Sequence, residues 1–391
     1  MKKFSAQFIL TNRGPALKRG IVTTNDDGTI IRVDDTGGDP EETRSVEFHN
    51  GTIVPGFVNC HCHIELSHLK GAIPEGKGLA GFLKLIGSLR ETDKAKTAEA
   101  ILLADREMYS AGIVLCADIC NSTDSFNLKK QSRIKYINLL EVFGIDPQKA
   151  EKRFNEILDV SQAAASIGLE WWLVPHTVYT VSKPLFSLLR KKTLANKITS
   201  LHYMESEGEE QLLRDHSGPL MEFYRDSGYL SVSPSTVSSH ASAVLDELTQ
   251  SGNLILVHNT YADSGAINDL INRKNLFWCL CPCSNIYIEG KLPPVDLFRE
   301  EKCEIVIGTD SLASNQSLNI LEEIRTLQVN FPHVPLEEII RWATINGARA
   351  LGEEEMYGSI EPGKNPGLLL LENIDLQNLK LLPETRIKRL I

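Results

Sequence analysis

Eight short apolar runs recur along the chain, and longer amphipathic stretches separate several of them. They are IVPGFVNCHCHIE from Ile53, GIVLCADIC from Gly112, YINLLEVFG from Tyr136, LEWWLVPHT from Leu169, ITSLHYMES from Ile198, LILVHNT from Leu254, LFWCLCPCS from Leu276 and CEIVIGTDS from Cys303. Near-continuous apolar runs rich in β-branched residues predict strands buried on both faces. The stretches KAKTAEAILLADREMYSAG, PQKAEKRFNEILDVSQAAASIG and GEEQLLRDHSGPLMEFYRDSG predict helices ending near Gly112, Gly168 and Gly228. Alternating strands and helices predict an α/β fold with a parallel sheet, and eight units favour a closed (β/α)8 TIM-type barrel.

The two ends read differently. Residues 1–52 break into short β-like pieces around the turn segments NDDG, DDTGGDP and HNG. After ATINGARALG at 343–352 the chain again becomes turn-rich, in YGSIEPGKNPGLLLLEN. We expect residues 1–52 plus 353–391 to form one small β-sandwich-like domain beside a barrel spanning residues 53–352.

Composition narrows the function. The net charge of −10 and pI near 5.6 argue against a nucleic-acid groove, which needs basic density to displace counterions. They leave a small-molecule substrate open. No signal peptide is expected, because Gln7, Thr11, Asn12 and Arg13 interrupt the first apolar stretch. No window of about 18 apolar residues suggests a membrane span. Eight cysteines lie in apolar runs, which suits reduced core thiols and a cytoplasmic protein. Cys279, Cys281 and Cys283 form CxCxC, not the CxxC spacing of a structural zinc site, so core packing is expected for them. A homodimer is compatible with all of this.

The polar residues carry the chemistry. Barrel strands are apolar inside, and catalytic groups sit at their C-terminal ends. Here His61 and His63 close the first run, His202 the fifth, His258 the sixth and Asp310 the eighth. Strand alternation puts the two imidazoles of His61-Cys62-His63 on one face, toward the barrel axis, and turns Cys60 and Cys62 away. Two imidazoles on one face suit a borderline-soft ion such as Zn²⁺ or Fe²⁺. Glu205 follows His202 in an HxxE, where a carboxylate can carry protons beside a metal. Asp310 follows the apolar EIVIG, where an unpaired carboxylate is costly. Each motif alone has a plain structural explanation: satisfied core histidines, solvated strand ends, or a helix N-cap. Together they fall on four strand ends of one barrel.

This order of HxH, HxxE, lone His and closing Asp resembles the amidohydrolase superfamily. PGFVNCHCH resembles its PGxxxxHxH hallmark; PHTVYTVS, LHYMES and GTDSLASN look like its aminohydrolase branch of chlorohydrolases and of guanine, S-adenosylhomocysteine and aminofutalosine deaminases. NGARALG and GSIEPGK match as well. The resemblance implies one divalent metal ion, zinc first with iron or manganese as alternatives, held by His61, His63, His202 and Asp310. LEWWLVPHT offers no lysine to bridge two ions, so the mononuclear form is implied. Asp310 would take the proton of the attacking water, His258 would hydrogen-bond that water, and Glu205 would shuttle protons to the ring. His176, Glu65 and Ser311 would contact substrate. The implied reaction is hydrolytic deamination of an adenine-type nucleoside such as aminofutalosine. Alternatives are an S-adenosylhomocysteine, adenosine or guanine-type deaminase, a chlorohydrolase, a cyclic amidohydrolase, or a non-catalytic binding homologue. Two departures stand out: CPCSN carries Cys283 where CPRSN is usual, with an expected effect on the pocket, and GKNPG carries Gly367 where the family has Asp.

Overall fold

In a computed structural model, residues 1–39, 45–89, 93–229, 241, 244, 248 and 252–391 are described. Pro40 of the DDTGGDP turn lies outside them. Five strands precede the barrel: β1 (Lys2–Ile9), β2 (Leu17–Lys18), β3 (Ile21–Thr24), β4 (Ile30–Asp34) and β5 (Val46–Pro55). The barrel strands are β6 (Phe57–Cys62), β7 (Ile113–Cys120), β8 (Lys135–Val142), β9 (Trp171–Pro175), β10 (Ile198–Tyr203), β11 (Asn253–His258), β12 (Leu276–Leu280) and β13 (Glu304–Ile307). Each falls within or beside one of the eight apolar runs. β14 (Leu368–Asp375) and β15 (Lys380–Arg389) follow.

Strands from both termini share one sheet, in the order β15-β14-β5-β1-β3-β4 with β2 on β1. Phe4, Val22, Ile53, Leu368 and Leu370 form its buried core. The first barrel strand begins at Phe57, not at Ile53. Ile53–Pro55 pair with Leu370–Leu368 of β14 instead. Gly56 makes the transition, because a Cβ there would meet Pro366 O at 2.5 Å and Val114 Cγ1 at 2.4 Å.

The barrel consists of two parallel halves, β6-β7-β8-β9 and β10-β11-β12-β13. Residues near or just past the strand ends stitch the two seams. His202 N donates to His176 O (3.0 Å), while Thr309 N and Asp310 N donate to His61 O (2.9 and 3.1 Å). Close approach at the second seam requires Gly308, since a Cβ there would lie 2.8 Å from His61 Cβ. All eight strands contribute to one interior cluster that includes Val58, Leu115, Ile137, Val174, Ile255 and Val306. Cys60 belongs to this interior cluster, and only Cys62 packs with the outer one. The expectation that both cysteines turn away from the axis fails because the register of β6 against β7 shifts between Asn59 and Cys62.

Helices Lys94–Ser110 and Ala150–Ser166 form as the pattern predicts. Gly112, Gly168 and Gly228 follow their helices in the left-handed region (φ 94°, 75° and 82°), where helices commonly terminate. The third predicted helix is two, Glu207–Asp215 and Gly218–Asp226. His216 adopts φ 50°, and Pro219 opens the second helix because its ring cannot continue the first. Among the described residues no helix is long and apolar enough to cross a membrane. Cys279 and Cys281 are buried as expected, whereas Cys283 sits half-buried in the first turn of helix Pro282–Glu289.

Candidate active site

The strand ends gather the polar residues at one mouth of the barrel. His61 Nε2 lies 3.2 Å from His63 Nε2, and Asp310 Oδ1 lies 3.7 and 3.6 Å from these nitrogens. His202 and His258 join through His61, with the ligand atoms of these three within 4.8 Å of one another. The backbone is bent to achieve this: Met204, His258, Asn259 and Asp310, all just past or at strand ends, have φ of 48°, 77°, 58° and 57°. Left-handed non-glycine residues are strained, and their concentration at the ends of β10, β11 and β13 re-aims side chains that plain strand geometry would direct elsewhere.

Hydrogen bonds prepare the donors. His202 Nδ1 lies 3.1 Å from the His176 carbonyl oxygen, so Nδ1 carries the hydrogen and Nε2 presents a lone pair. Burial, then His176 and His61 beside it, holds His202 down to about 3. Burial likewise keeps His63 and His258 well below the usual histidine range, so these rings are neutral at neutral pH. Burial would raise the Asp310 carboxyl, but the hydrogen bond to His61 and the nearby rings of His63 and His258 outweigh it and hold the group well below its ordinary value. Ser284 Oγ (2.7 Å) and Ser314 Oγ (2.5 Å) both donate to Asp310 Oδ2, leaving Oδ1 toward the histidines. Convergent neutral imidazoles and an ionised carboxylate, all buried, fit one divalent cation.

Glu205 stands beside this cluster, its Oε1 3.7 Å from His258 Nε2. Burial first, then Asp310, Glu209 and Glu289, pushes its carboxyl well above the ordinary range. Its backbone is fixed by Glu209, whose Oε1 accepts the N–H groups of Glu205 (2.8 Å) and Ser206 (2.9 Å) at the start of helix Glu207–Asp215. Asn285 Nδ2 approaches His258 Nδ1 at 3.4 Å. An amide N–H donating there places the His258 proton on Nε2.

A cavity of about 590 Å³ opens above the cluster. His63, His176, His202, Glu205, His258, Asp310 and Ser311 reach it, and Leu79, Phe82, Phe143, Tyr179 and Phe223 give it apolar walls. The structure thus brings every expected residue to the cavity except two. His61 lies beneath it with no exposure. Glu65 is absent from the lining, and its carboxylate instead accepts from Asn121 N, Ser122 N and Ser122 Oγ (3.1–3.3 Å), the loop after β7. Cys283 does not line the cavity either; it packs by Thr326, with its N–H on Glu323. Sequence reasoning missed Glu141, a cavity residue at the end of β8 whose Oε1 lies 3.6 Å from His202 Nδ1. The signal was present, a carboxylate inside the apolar run YINLLEVFG. It also missed Ser284, Ser314 and Asn285, whose types carry no signal until the fold orients them.

A buried histidine and aspartate donor set at the strand ends of a TIM-type barrel defines a metal-dependent hydrolase. The Amidohydrolase family pattern matches residues 52–387, and the chain belongs to that family. It is 27% identical over 336 residues to an adenosine deaminase of Helicobacter pylori, covering 82% of this chain and 79% of that protein. Its fold is similar to that of Helicobacter pylori aminofutalosine deaminase in complex with methylthio-coformycin, with a TM-score of 0.79 and 24% identity, covering 96% of this chain and 93% of that one. It is also similar to an adenosine deaminase from Xanthomonas campestris with bound zinc, at a TM-score of 0.70 and 22% identity, over 95% and 84% of the two chains.

Proposed function

We propose that the protein deaminates an adenine-type nucleoside hydrolytically, with aminofutalosine as the first candidate, and that His61, His63, His202 and Asp310 hold one zinc ion. The observation that carries the reading is Glu205, a buried carboxyl beside the donor set that lines the cavity and is held in a loop by Glu209. A binding protein has no need of such a proton carrier. The relatives named above act on adenosine-type substrates, and the apolar walls suit a purine with a hydrophobic substituent. The bound ion supplies the acidity that makes water a nucleophile near neutral pH.

The side chains do the remaining work. Asp310, with Oδ2 occupied by two serine hydroxyls, accepts the proton of the attacking water. His258 donates from Nε2 and holds that water in place. Glu205, kept protonated by its surroundings, gives its proton to the ring nitrogen beside the amino-bearing carbon, which makes that carbon electrophilic. The water proton held by Asp310 is then returned to the exocyclic amine, the C–N bond breaks and ammonia departs; the remaining hydroxyl proton of the intermediate goes back to Glu205 as the carbonyl forms. His176 and Ser311 contact the substrate from the cavity wall, and Glu65 braces the loop after β7. The enclosed site and the charge of −10 favour a free nucleoside over nucleic acid, and eight free cysteines suit action in the cytoplasm. Ammonia release measured over aminofutalosine, adenosine, 5′-substituted adenosines, guanine and chlorinated triazines tests the reading. Activity confined to the triazines or absent throughout would overturn it.

A further inference from the structure

Outside the cavity, a charged cluster lies wholly inside the fold. The side chains of Asp118 on β7 and Lys129 on helix Phe126–Gln131 are both fully buried, and Lys129 Nζ lies 2.5 Å from Asp118 Oδ2. The same ammonium donates to Asn138 Oδ1 on β8 and to Cys120 Sγ, both at 2.9 Å. A buried ion pair is an expensive way to fill a core, since well-packed apolar residues of similar volume are often as stable or more so. Its geometry shows what it holds. The other carboxylate oxygen, Asp118 Oδ1, accepts the backbone N–H of Ile64 at 2.7 Å.

Ile64 directly follows His63. At this point the β6–β7 ladder is irregular, with a register shift between Asn59 and Cys62 and a single pairing of Cys62 with Asp118 beyond it. Where the ladder falters, a side chain of β7 takes over the bond to the departing chain. Lys129 fixes that side chain from below and ties it to β8. We infer that Asp118 and Lys129 are positioning residues for the metal centre: through the Ile64 amide they fix the exit of β6, and with it the aim of His61 and His63. The deciding feature is the acceptor oxygen offered to Ile64, and the lysine balances the buried charge of the carboxylate that offers it, a need that an uncharged amide does not have.

Zinc affinity of the full-length chain, measured by chelator competition, tests this alongside the thermal midpoint of the metal-free protein. The double variant Asp118→Leu/Lys129→Met removes charge and acceptor together. It is expected to keep its metal-free midpoint, because an apolar pair replaces an ion pair, and to bind zinc about 10- to 100-fold more weakly, the usual range for loss of a group that orients a ligand. Asp118→Asn/Lys129→Met keeps an oxygen for the Ile64 N–H and is expected to bind zinc close to wild type. A folded Leu/Met variant with wild-type zinc affinity would overturn the inference, as would a folded Asn/Met variant weakened as far as Leu/Met. Should Leu/Met fail to fold, Lys129→Met alone is compared with Asn/Met. The second change is expected to restore affinity lost in the first, and equal affinities overturn the inference.

Discussion

The Nδ1–H of His202 donates to the backbone carbonyl of His176, 3.1 Å away, while the His176 ring faces the cavity. One residue therefore orients a metal ligand through its main chain and meets substrate through its side chain. His176→Ala keeps the carbonyl and removes the ring. We expect unchanged metal content and a KM raised about 3- to 10-fold, the scale of one lost hydrogen bond. His202→Ala, by contrast, should lose the metal. Elemental analysis and steady-state kinetics on both variants separate the roles; metal loss in His176→Ala would contradict the division.

Metal stoichiometry follows from a donor set with no bridging lysine. Protein purified without chelator should carry close to one equivalent of zinc, iron or manganese per chain. Chelation should abolish turnover, and one equivalent of zinc should restore it. Two equivalents required for full recovery would refute a mononuclear centre.

Glu209 predicts a pH signature. Burial raises its carboxyl to about 8 in the folded chain, against 4.5 for the free group. A carboxyl with a raised folded value contributes stability that is complete below the unfolded value and is lost as pH rises through the folded one. Glu209→Gln keeps an oxygen for the Glu205 and Ser206 N–H groups but does not titrate. In metal-free protein, the midpoint of the variant relative to wild type should therefore rise between about pH 4.5 and 8. A constant difference across that window would contradict the assignment.

The termini are proposed to act as one domain. Leu368–Leu371 of β14 are buried and pair with Pro55–Thr52 of β5, and Arg389 donates to Tyr109 O on the barrel (2.7 and 3.2 Å). Deleting residues 353–391 would uncover an apolar strand edge, a ready site for aggregation. Light scattering should show association of the truncated chain, and a soluble, fully active truncation would refute the shared domain.

The barrel was legible because strands buried on both faces must be apolar, and all eight announce themselves. The residues of the proposed site were legible for the complementary reason: His61, His63, His202, His258 and Asp310 interrupt or end apolar runs where polar groups are costly. What depended on backbone detail was not. Cys60 continues the inward face that Val58 begins, and the register shift between Asn59 and Cys62 then breaks the alternation, which no period-2 pattern reveals. The break at His216 was readable in Ser217-Gly218-Pro219, where proline ends one helix and opens the next, but the apolar spacing ran across it. Glu65 was placed at the substrate by resemblance alone, yet its carboxylate accepts from the backbone of the neighbouring loop. Ser284 and Ser314 meet on Asp310 from segments 30 residues apart in sequence, a relationship only the fold creates.

Glu205 carries the central claim, because it separates proton transfer from metal binding. Glu205→Gln retains size and hydrogen bonding but removes the transferable proton. The decisive measurement is ammonia release per chain by this variant, with metal content determined on the same sample. A loss of about 10²- to 10⁴-fold in kcat, the usual contribution of a general acid–base group, with one metal retained and KM little changed, is the predicted result. Turnover near wild type, or loss of the metal together with the activity, would contradict the account.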